Sequence, residues 1–400
     1  MTEFSNSIKN FRSSEIRRLM SLSADPAIIS FTGGMPCNEI FPVDDIDEMW
    51  GNLARNVKQA AFQYGPTSGY PPLIESLKKY LGSKGLPVDN SQKILITTGA
   101  QQAINLLTKI FIDPGDRIIT EYPSFIGALA AFKSYSAILK GIPLDDEGII
   151  IEELEKALSD KWLKPKMLYL TPYFHNPAGI IYSKKRKDEL ISLLSGKDVC
   201  LLEDDPYGEL YFSENDRELT RTIKSMANEK FPICYVGSFA KIFGPGMRLG
   251  WLLAPAEVVD KCELAKQSAD ACSSTFTQVL ANEFLTTNKL PPFTAKLRVN
   301  CARRAEIMLK ALETCMPPKG ISWTRPKGGF YIWVTMPENI SATDVLNIAI
   351  KKGSAFVIGN AFDPEEKRNN CFRLAFSFTP EDKIEPGIKI ISEAIKSLLE

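Results

Sequence analysis

The 400-residue chain contains a single histidine, His175, and this scarcity restricts its chemistry more than any other count. One histidine excludes a histidine-rich metal centre and a pair of catalytic histidines. A Ser-His-Asp triad would need His175, and no GxSxG elbow accompanies it. Acid–base work near neutral pH therefore falls mainly to a lysine, a tyrosine or a carboxylate with a shifted pKa, which favours cofactor chemistry.

The chain also lacks net charge, long apolar runs and paired cysteine motifs. Its 48 basic residues balance 48 acidic ones, so we expect neither nucleic acid nor an anionic membrane as a partner. No apolar run reaches the roughly 18 residues of a membrane span, and the polar N-terminus lacks the apolar core of a secretion signal. Eight cysteines without CxxC spacing favour a reduced, cytoplasmic protein without a metal site.

Short β-rich runs alternate with helical stretches from about residue 90 onwards, which is typical of a mainly parallel sheet covered on both faces. A helix is predicted over residues 100–111 from apolar residues at helical spacing. The predicted strands cover residues 93–99, 117–122, 166–172, 199–205, 233–239 and 248–254. We therefore predict an α/β fold with a mainly parallel central sheet.

The regular alternation of predicted strands and helices ends at about Pro291. A long amphipathic helix is predicted through residues 295–315, and the mixed strands and helices that follow indicate a smaller α+β domain. We predict an N-terminal segment over residues 1–48, a large domain over residues 49–292 and a small domain over residues 293–400. The N-terminal segment is expected to pack with the small domain.

A strand-to-turn segment holds Lys241 and Arg248 among three glycines. Lys241 stands between Ala240 and Ile242 without an acidic neighbour, a setting that lowers an amine pKa and makes the amine a nucleophile towards carbonyls. A lone lysine in a glycine-rich loop is more often a surface residue, but the arginine seven positions on suits a phosphate. Together the two residues favour a ligand that is both an aldehyde and a phosphate ester.

The pattern Ser-Phe-Ala-Lys-x-x-x-Pro-Gly-Met-Arg-x-Gly-Trp at residues 238–251 resembles the Schiff-base segment of class I/II aminotransferases. These enzymes use pyridoxal 5′-phosphate (PLP) on the type I fold, in which both chain termini build the smaller domain. The resemblance implies that Lys241 carries the cofactor and that Ser238 and Arg248 hold its phosphate. It covers nearly the whole chain from about residue 15, because further motifs follow in the family's order.

Two motifs concern the cofactor ring. Asp204 and Tyr207 lie at the carboxyl end of the predicted strand 199–205, where α/β proteins bind ligands. The resemblance implies that Asp204 pairs with the protonated pyridine nitrogen, while Tyr207 and Asn176 contact the phenolic oxygen. It also implies that Phe125 stacks on the ring, although a core role is compatible with stacking. The acidic neighbour Asp205 is expected to be a bystander, and His175 a packed neighbour of the site.

The phosphate is expected at the strand-to-helix junction formed by Gly99, Ala100 and Gln101, because a helix N-terminus offers unpaired N–H groups and a positive dipole. The segment around Tyr64 resembles the family motif that reaches the phosphate of a neighbouring subunit. The resemblance therefore implies a homodimer in which Tyr64 completes the partner's site. Ala100 and Ala240 replace hydroxyl residues usual in the family, so we expect weaker PLP retention.

Substrate recognition is predicted from an arginine in an apolar strand. Arg373 would be costly to bury without an anion, and the resemblance implies that it clamps the substrate α-carboxylate beside Asn176. The loop that contains Gly34 resembles the substrate-side loop of the 2-aminoadipate, kynurenine and aromatic aminotransferase branch. Arg17 is either a cation for an acidic substrate side chain or a solvated helix charge. If the N-terminal segment that carries Arg17 moves, the site could admit both acidic and aromatic substrates. This dual specificity is a hypothesis.

We therefore predict a PLP-dependent aminotransferase that moves the amino group of glutamate, 2-aminoadipate or an aromatic L-amino acid to a 2-oxo acid. The expected acceptor is 2-oxoglutarate, and the expected kinetics are ping-pong. The alternative is another type I PLP reaction, such as a cysteine-conjugate β-lyase. A remote alternative is a ligand-binding regulator domain without catalysis, disfavoured by the few residues before the Gly33-Gly34 loop and by the absence of a basic excess.

Overall fold

The fold is taken from a computed structural model, which describes residues 3, 8, 25–86, 88–89, 91–228, 230–318 and 320–399. The strands in these ranges are β1 Ile29–Ser30, β2 Gln92–Thr97, β3 Arg117–Tyr122, β4 Ile138–Asp145, β5 Gly148–Ile149, β6 Met167–Leu170, β7 Cys200–Asp205, β8 Ile233–Ser238, β9 Gly250–Pro255, β10 Ser322–Trp323, β11 Tyr331–Thr335, β12 Ser354–Ala355, β13 Val357–Ile358 and β14 Cys371–Ala375.

The α-helices of the described ranges cover both faces of the central sheet and build most of the smaller part. They are α1 Val43–Asn52, α2 Arg55–Ala60, α3 Pro71–Ser83, α4 Ala100–Phe111, α5 Ile126–Ser134, α6 Ile151–Ser159, α7 Lys184–Leu194, α8 Ile223–Ala227, α9 Ala256–Gln267, α10 Thr275–Thr286, α11 Leu290–Cys315, α12 Ala342–Lys351 and α13 Glu381–Leu399.

The central sheet has eight strands within the described residues, in the order β2-β9-β8-β7-β6-β3-β4-β5. The neighbours from β8 to β4 are parallel, whereas β9 runs antiparallel to both β2 and β8. The prediction of a mainly parallel α/β sheet is thus confirmed. Strand β4 was not predicted, because Gly141 and Pro143 interrupt its strand pattern and much of it is only partly buried.

The central strands are buried on both faces, which explains their continuous apolar runs. Every residue of β6, β7 and β8 is buried. Since these strands are parallel, their carboxyl ends lie at one edge of the sheet. Asp204 lies at this end of β7, and the loops after β6 and β8 carry Asn176 and Lys241. Strand β2 ends at the same edge before Gly99, and the antiparallel β9 begins there after Arg248. One edge therefore gathers most of the predicted site residues.

A second, four-stranded sheet in the described C-terminal part has the order β10-β11-β14-β13 and is antiparallel. Strand β1 pairs with β12, and the N–H of Ala375 donates to the carbonyl of Phe31 at 2.9 Å. Residues 29–31 are thus bonded to this smaller part. Helix α11 begins at Leu290 with prolines in its first turn and crosses the predicted boundary. The domain limits at residues 48 and 292 stay predictions.

The described residues include no helix that is both long and apolar enough to cross a membrane.

Gly250 sets how closely β9 approaches the start of α4. A Cβ at this position would lie 2.8 Å from three backbone atoms, which belong to Gly99, Ala100 and Gly237. Backbone cannot move aside as a flexible side chain can. We expect Gly250→Ala to lower the free energy of unfolding by about 1–3 kcal/mol, measured by urea denaturation. Gly246→Ala is the matched control, because no described atom lies within 4 Å of its added Cβ. Equal midpoints for the two variants would contradict this packing.

Candidate active site

Lys241 lies in the turn after β8 and is largely buried. Its Nζ donates to the carbonyl oxygen of Gly34 at 2.6 Å and lies 5.9 and 5.6 Å from the ring centres of Tyr207 and Phe330. Burial lowers the pKa of Lys241 to about 8, and the positive charges of Arg373 and Arg248 act in the same direction. About one amine in ten is then neutral at pH 7, which suits a nucleophile and a proton acceptor.

Asp204 is the second-last residue of β7 and is 2% exposed. Its Oδ2 accepts a hydrogen bond from the Tyr169 hydroxyl at 2.8 Å, whereas its Oδ1 finds no donor among the described residues. Burial raises the pKa of the Asp204 carboxyl to about 7. A buried oxygen without a donor is rare in proteins, and a protonated ring nitrogen is a donor that would satisfy it.

Arg373 is buried in β14 and contacts neutral groups. Its Nη1 donates to Asn176 Oδ1 at 2.9 Å, its Nη2 donates to the carbonyl of Thr32, and its guanidinium carbon lies 4.5 Å from the centre of the Tyr331 ring. Its Nε has no acceptor, and no carboxylate within the described ranges forms a salt bridge with it. A buried cation in this state is strongly stabilised by an anionic ligand.

Tyr207 lies beside these groups. Its hydroxyl is 2.9 Å from the hydroxyl of Tyr331, and both side chains are buried. The backbone of Gly34 packs against Tyr331 so closely that a Cβ on Gly34 would lie 1.8 Å from the Tyr331 oxygen. Glycine is therefore required for the loop to approach the lysine. The structure thus brings Lys241, Tyr207 and Gly34 together with Arg373.

The start of α4 has groups that suit an anion. Gly99 precedes the helix with a φ of 79°, and the first-turn amides of Ala100 and Gln101 have no partner within the helix. The guanidinium of Arg248 lies against Gly99, since a Cβ there would be 3.0 Å from Arg248 Nη2. Ser238 sits opposite Gly250 in the sheet, next to the same helix start. These groups converge as a phosphate site requires.

Phe125 occupies the N-cap position of α5. Its side chain is partly buried against the core that α4 and the sheet share. The side chain of Gln101 reaches the same place, since its Nε2 donates to the carbonyl of Gly127 at 2.8 Å. Phe125 thus combines core packing with an exposed portion, as a stacking residue needs. Whether it stacks on a cofactor stays a prediction.

His175 and Asp205 have structural partners. The Nδ1 atom of His175 accepts from the N–H of Ala178 at 3.0 Å, so its Nε2 carries the proton and donates to Glu121 at 3.0 Å. Asp205 is not the solvated turn residue that its motif alone indicates. It is buried and accepts from the Tyr235 hydroxyl at 2.8 Å, which no local pattern reveals. Both residues hold the loops around the site.

One predicted residue of the described ranges, Tyr64, does not join this cluster. Tyr64 is 86% exposed in the loop between α2 and α3, next to the exposed Phe62. Arg17 lies outside the described residues. Two tyrosines that the sequence did not single out do join it, namely Tyr169 and Tyr331. Their hydrogen-bond partners, Asp204 and Tyr207, are distant from them in sequence, so no local motif marks them. Within the described ranges, no group of three or more His, Cys, Asp or Glu side chains could hold a metal ion.

Comparison with known proteins agrees with this geometry. The model of the family described as aminotransferase class I and II matches residues 40–391. Aromatic-amino-acid aminotransferase 1 of Thermococcus litoralis is 39% identical over 98% of this chain and 94% of its own length. The 2-aminoadipate transaminase of Thermus thermophilus is 32% identical over 99% of this chain and 97% of its own. The crystal structure of Pyrococcus horikoshii kynurenine aminotransferase in complex with PMP has a TM-score of 0.94 at 40% identity, covering 99% of this chain and 98% of that one.

The chain therefore belongs to the class I and II aminotransferases, the PLP-dependent transaminases of fold type I. Its cofactor is pyridoxal 5′-phosphate, and the residues present fit that group. The donor-free Oδ1 of Asp204 suits the pyridine nitrogen, the open start of α4 suits the phosphate, and the amine of Lys241 suits the aldehyde.

Replacing the buried lysine should stabilise the cofactor-free protein. We expect Lys241→Met to raise the free energy of unfolding at pH 7 by on the order of 1–3 kcal/mol, because folding places an ammonium group where burial disfavours it. The unfolded lysine keeps its proton up to about pH 10.5, whereas the folded one releases it near pH 8. The unfolded state therefore binds more protons between these values, and wild-type stability rises with pH there.

The difference in free energy of unfolding between Lys241→Met and the wild type is then largest below pH 8 and disappears towards pH 10.5. Urea denaturation at a series of pH values from 7 to about 10 measures it. The exposed Lys109→Met variant controls for the loss of a lysine charge. A stabilisation that stays constant with pH would contradict the buried-amine explanation.

Proposed function

We propose that the protein transfers the amino group of glutamate, 2-aminoadipate or an aromatic L-amino acid to a 2-oxo acid, with 2-oxoglutarate as the usual acceptor. The observation that carries this proposal is the buried Arg373, which has no carboxylate partner in the described part of the chain and shares one cluster with Lys241. That pairing suits a substrate with both a carboxylate and an amine. The names of the two curated relatives support aromatic and 2-aminoadipate donors.

The cofactor would be held by groups at the carboxyl edge of the sheet. Lys241 would bind its aldehyde carbon, and Asp204 would accept from the pyridine nitrogen. Tyr207 and Asn176 would contact the phenolic oxygen, and Phe125 would cover one face of the ring. The phosphate ligands would be Gly99, Ala100, Gln101, Ser238 and Arg248. When bound, PLP supplies an electron sink for the α-carbon and a carrier for the amino group.

Each side chain then has a defined task. Arg373 binds the α-carboxylate through its two Nη donors and orients the α-carbon towards Lys241. The amine of Lys241, with a pKa near 8, would accept the proton from the α-carbon and hold it for return. Asp204 would stabilise a proton on the ring nitrogen of a bound cofactor through a short-range charge interaction. The burial of Tyr207 and Tyr331 keeps bulk water away from the reacting atoms.

Selection among side chains would involve the Gly34 loop and Arg17. Gly34 lies directly over Lys241, so the loop borders the space for the substrate. We propose that Arg17 binds the distal carboxylate of glutamate or 2-aminoadipate and moves aside for aromatic side chains. Two amino acids and two oxo acids would use the same site in turn, which gives ping-pong kinetics.

We propose a homodimer in which Tyr64 reaches the phosphate of the neighbouring subunit. The exposed Phe62 forms an aromatic cluster with Trp50 and Phe276, in which the ring centres are 5.0–6.1 Å apart. The exposed Tyr64 follows Phe62 two residues later in the same loop. Such an exposed apolar patch is typical of a protein interface. A monomer in sedimentation velocity would contradict this part. The eight cysteines are all unpaired, which supports the proposal of a cytoplasmic location.

The first experiment records the visible absorption spectrum of the PLP-loaded protein. Adding glutamate should abolish the cofactor band, and adding 2-oxoglutarate should restore it. Borohydride reduction followed by peptide mass spectrometry should place the cofactor on Lys241. Lys241→Ala should lack this adduct, whereas the exposed Lys327→Ala should retain it. Pyruvate and ammonia from a cysteine conjugate without any oxo acid would instead favour the β-lyase alternative.

The second experiment separates the two proposed carboxylate sites. Arg373→Lys should lower kcat/KM for every amino donor by about 100-fold, because lysine cannot form the bidentate contact, while the Lys241 adduct persists. Arg17→Ala should lower kcat/KM for glutamate relative to an aromatic donor. Unchanged kcat/KM in Arg373→Lys would contradict the clamp. Equal effects of Arg17→Ala on both donors would contradict dual recognition.

A further inference from the structure

Tyr331 connects the two halves of the site. It begins β11 and lies diagonally across from Arg373 in the β11–β14 pair, where Trp333 is the direct partner of Arg373. The Tyr331 side chain is 2% exposed, and its ring centre is 4.5 Å from the Arg373 guanidinium carbon. Its hydroxyl is 2.9 Å from the hydroxyl of Tyr207. It therefore contacts both the proposed carboxylate clamp and a proposed cofactor ligand.

The direction of the Tyr207–Tyr331 hydrogen bond follows from proton counting. Each phenol has one proton, so only one of the two can donate to the other. In the described part of the chain, neither hydroxyl has another hydrogen-bond partner. If Tyr207 donates to the cofactor's phenolic oxygen, its own oxygen is left to accept. Tyr331 must then be the donor.

We propose that Tyr331 is a positioning residue whose hydroxyl, by donating to Tyr207, strengthens the hydrogen bond from Tyr207 to the cofactor and favours the neutral form of the Lys241–cofactor linkage. This inference rests on the proposed function. Hydrogen bonds in a chain polarise one another, so a tyrosine that accepts a bond is a better donor. The phenolic oxygen carries more negative charge when the linkage has lost its proton, so a stronger donor stabilises that state.

The conservative variant isolates the hydroxyl. Tyr331→Phe keeps the ring against Arg373 and the edge-to-face contact with Tyr207, whose ring centre is 5.8 Å away. The charged and titratable groups that face the pair and Lys241 remain in place, namely Arg373, Asp204 and Arg248. Any change in protonation then reports on the removed oxygen rather than on altered packing.

The test is a pH titration of the visible absorption band of the PLP-loaded protein. Tyr331→Phe should raise the pKa of the linkage by about 0.3–0.7 unit, and Tyr207→Phe should raise it more. In the Tyr207→Phe background, Tyr331→Phe should add nothing, because it acts through Tyr207. Tyr211→Phe is the control, since this buried tyrosine bonds Glu214 and contacts none of these groups.

The outcomes separate the two proposals. A shift below about 0.2 unit in Tyr331→Phe, or the same shift in the Tyr207→Phe background, overturns the role of Tyr331 while the proposed function stands. A wild-type band that does not change with pH overturns the role of Tyr331 alone, whereas a wild-type protein without a Lys241 adduct after borohydride overturns both proposals. The proposal is supported if Tyr331→Phe raises the pKa of the linkage in the wild-type background but not in the Tyr207→Phe background.

Discussion

Three ionisable side chains are buried close together without forming ion pairs with one another, two at the carboxyl edge of the central sheet and one, Arg373, on β14 of the second sheet. Arg373 contacts neutral groups, Asp204 keeps one oxygen without a donor, and Lys241 donates to a backbone carbonyl. Burial costs each of them free energy, which raises the pKa of Asp204 and lowers that of Lys241. In the proposed function, the cofactor and the substrate would bring complementary groups, so their binding would offset this free-energy cost of burial.

The apolar strands supply the stability that this arrangement requires. Strands β6, β7 and β8 are buried along their whole length. Because they are parallel, the polar residues at and after their carboxyl ends lie at one edge of the sheet. Glycines then let backbone segments meet closely there. Gly250 brings β9 against the start of α4, and Gly34 brings its loop against Tyr331. A side chain at either position would occupy space that the site needs.

The two alanines of the proposed phosphate site, Ala100 and Ala240, lie among other groups that suit an anion. Ala100 opens α4 and Ala240 precedes the lysine, so neither offers the hydroxyl usual in the family. The helix amides, Arg248 and Ser238 converge on the same place. Most of the electrostatic attraction for a phosphate therefore persists without those hydroxyls.

Much of the site could be predicted because its residues belong to short motifs that follow strand ends. Lys241, Asp204 and Arg248 are recognisable from their neighbours in sequence. Tyr169 and Tyr331 could not be predicted in this way, because their partners Asp204 and Tyr207 are distant in sequence and meet them only in the folded chain. Strand β4 was missed since glycine and proline weaken its local pattern.

By itself, the sequence determined the class of fold and the enzyme family, and its single histidine excluded a histidine-rich metal centre. These follow from the alternation of strands and helices, from short motifs and from a residue count. Only the tertiary structure decided that Arg373 lies among neutral partners, that Asp205 is buried and that two tyrosine hydroxyls meet. Such relations depend on burial and on long-range strand pairing. Both are properties of the whole packed chain rather than of any segment.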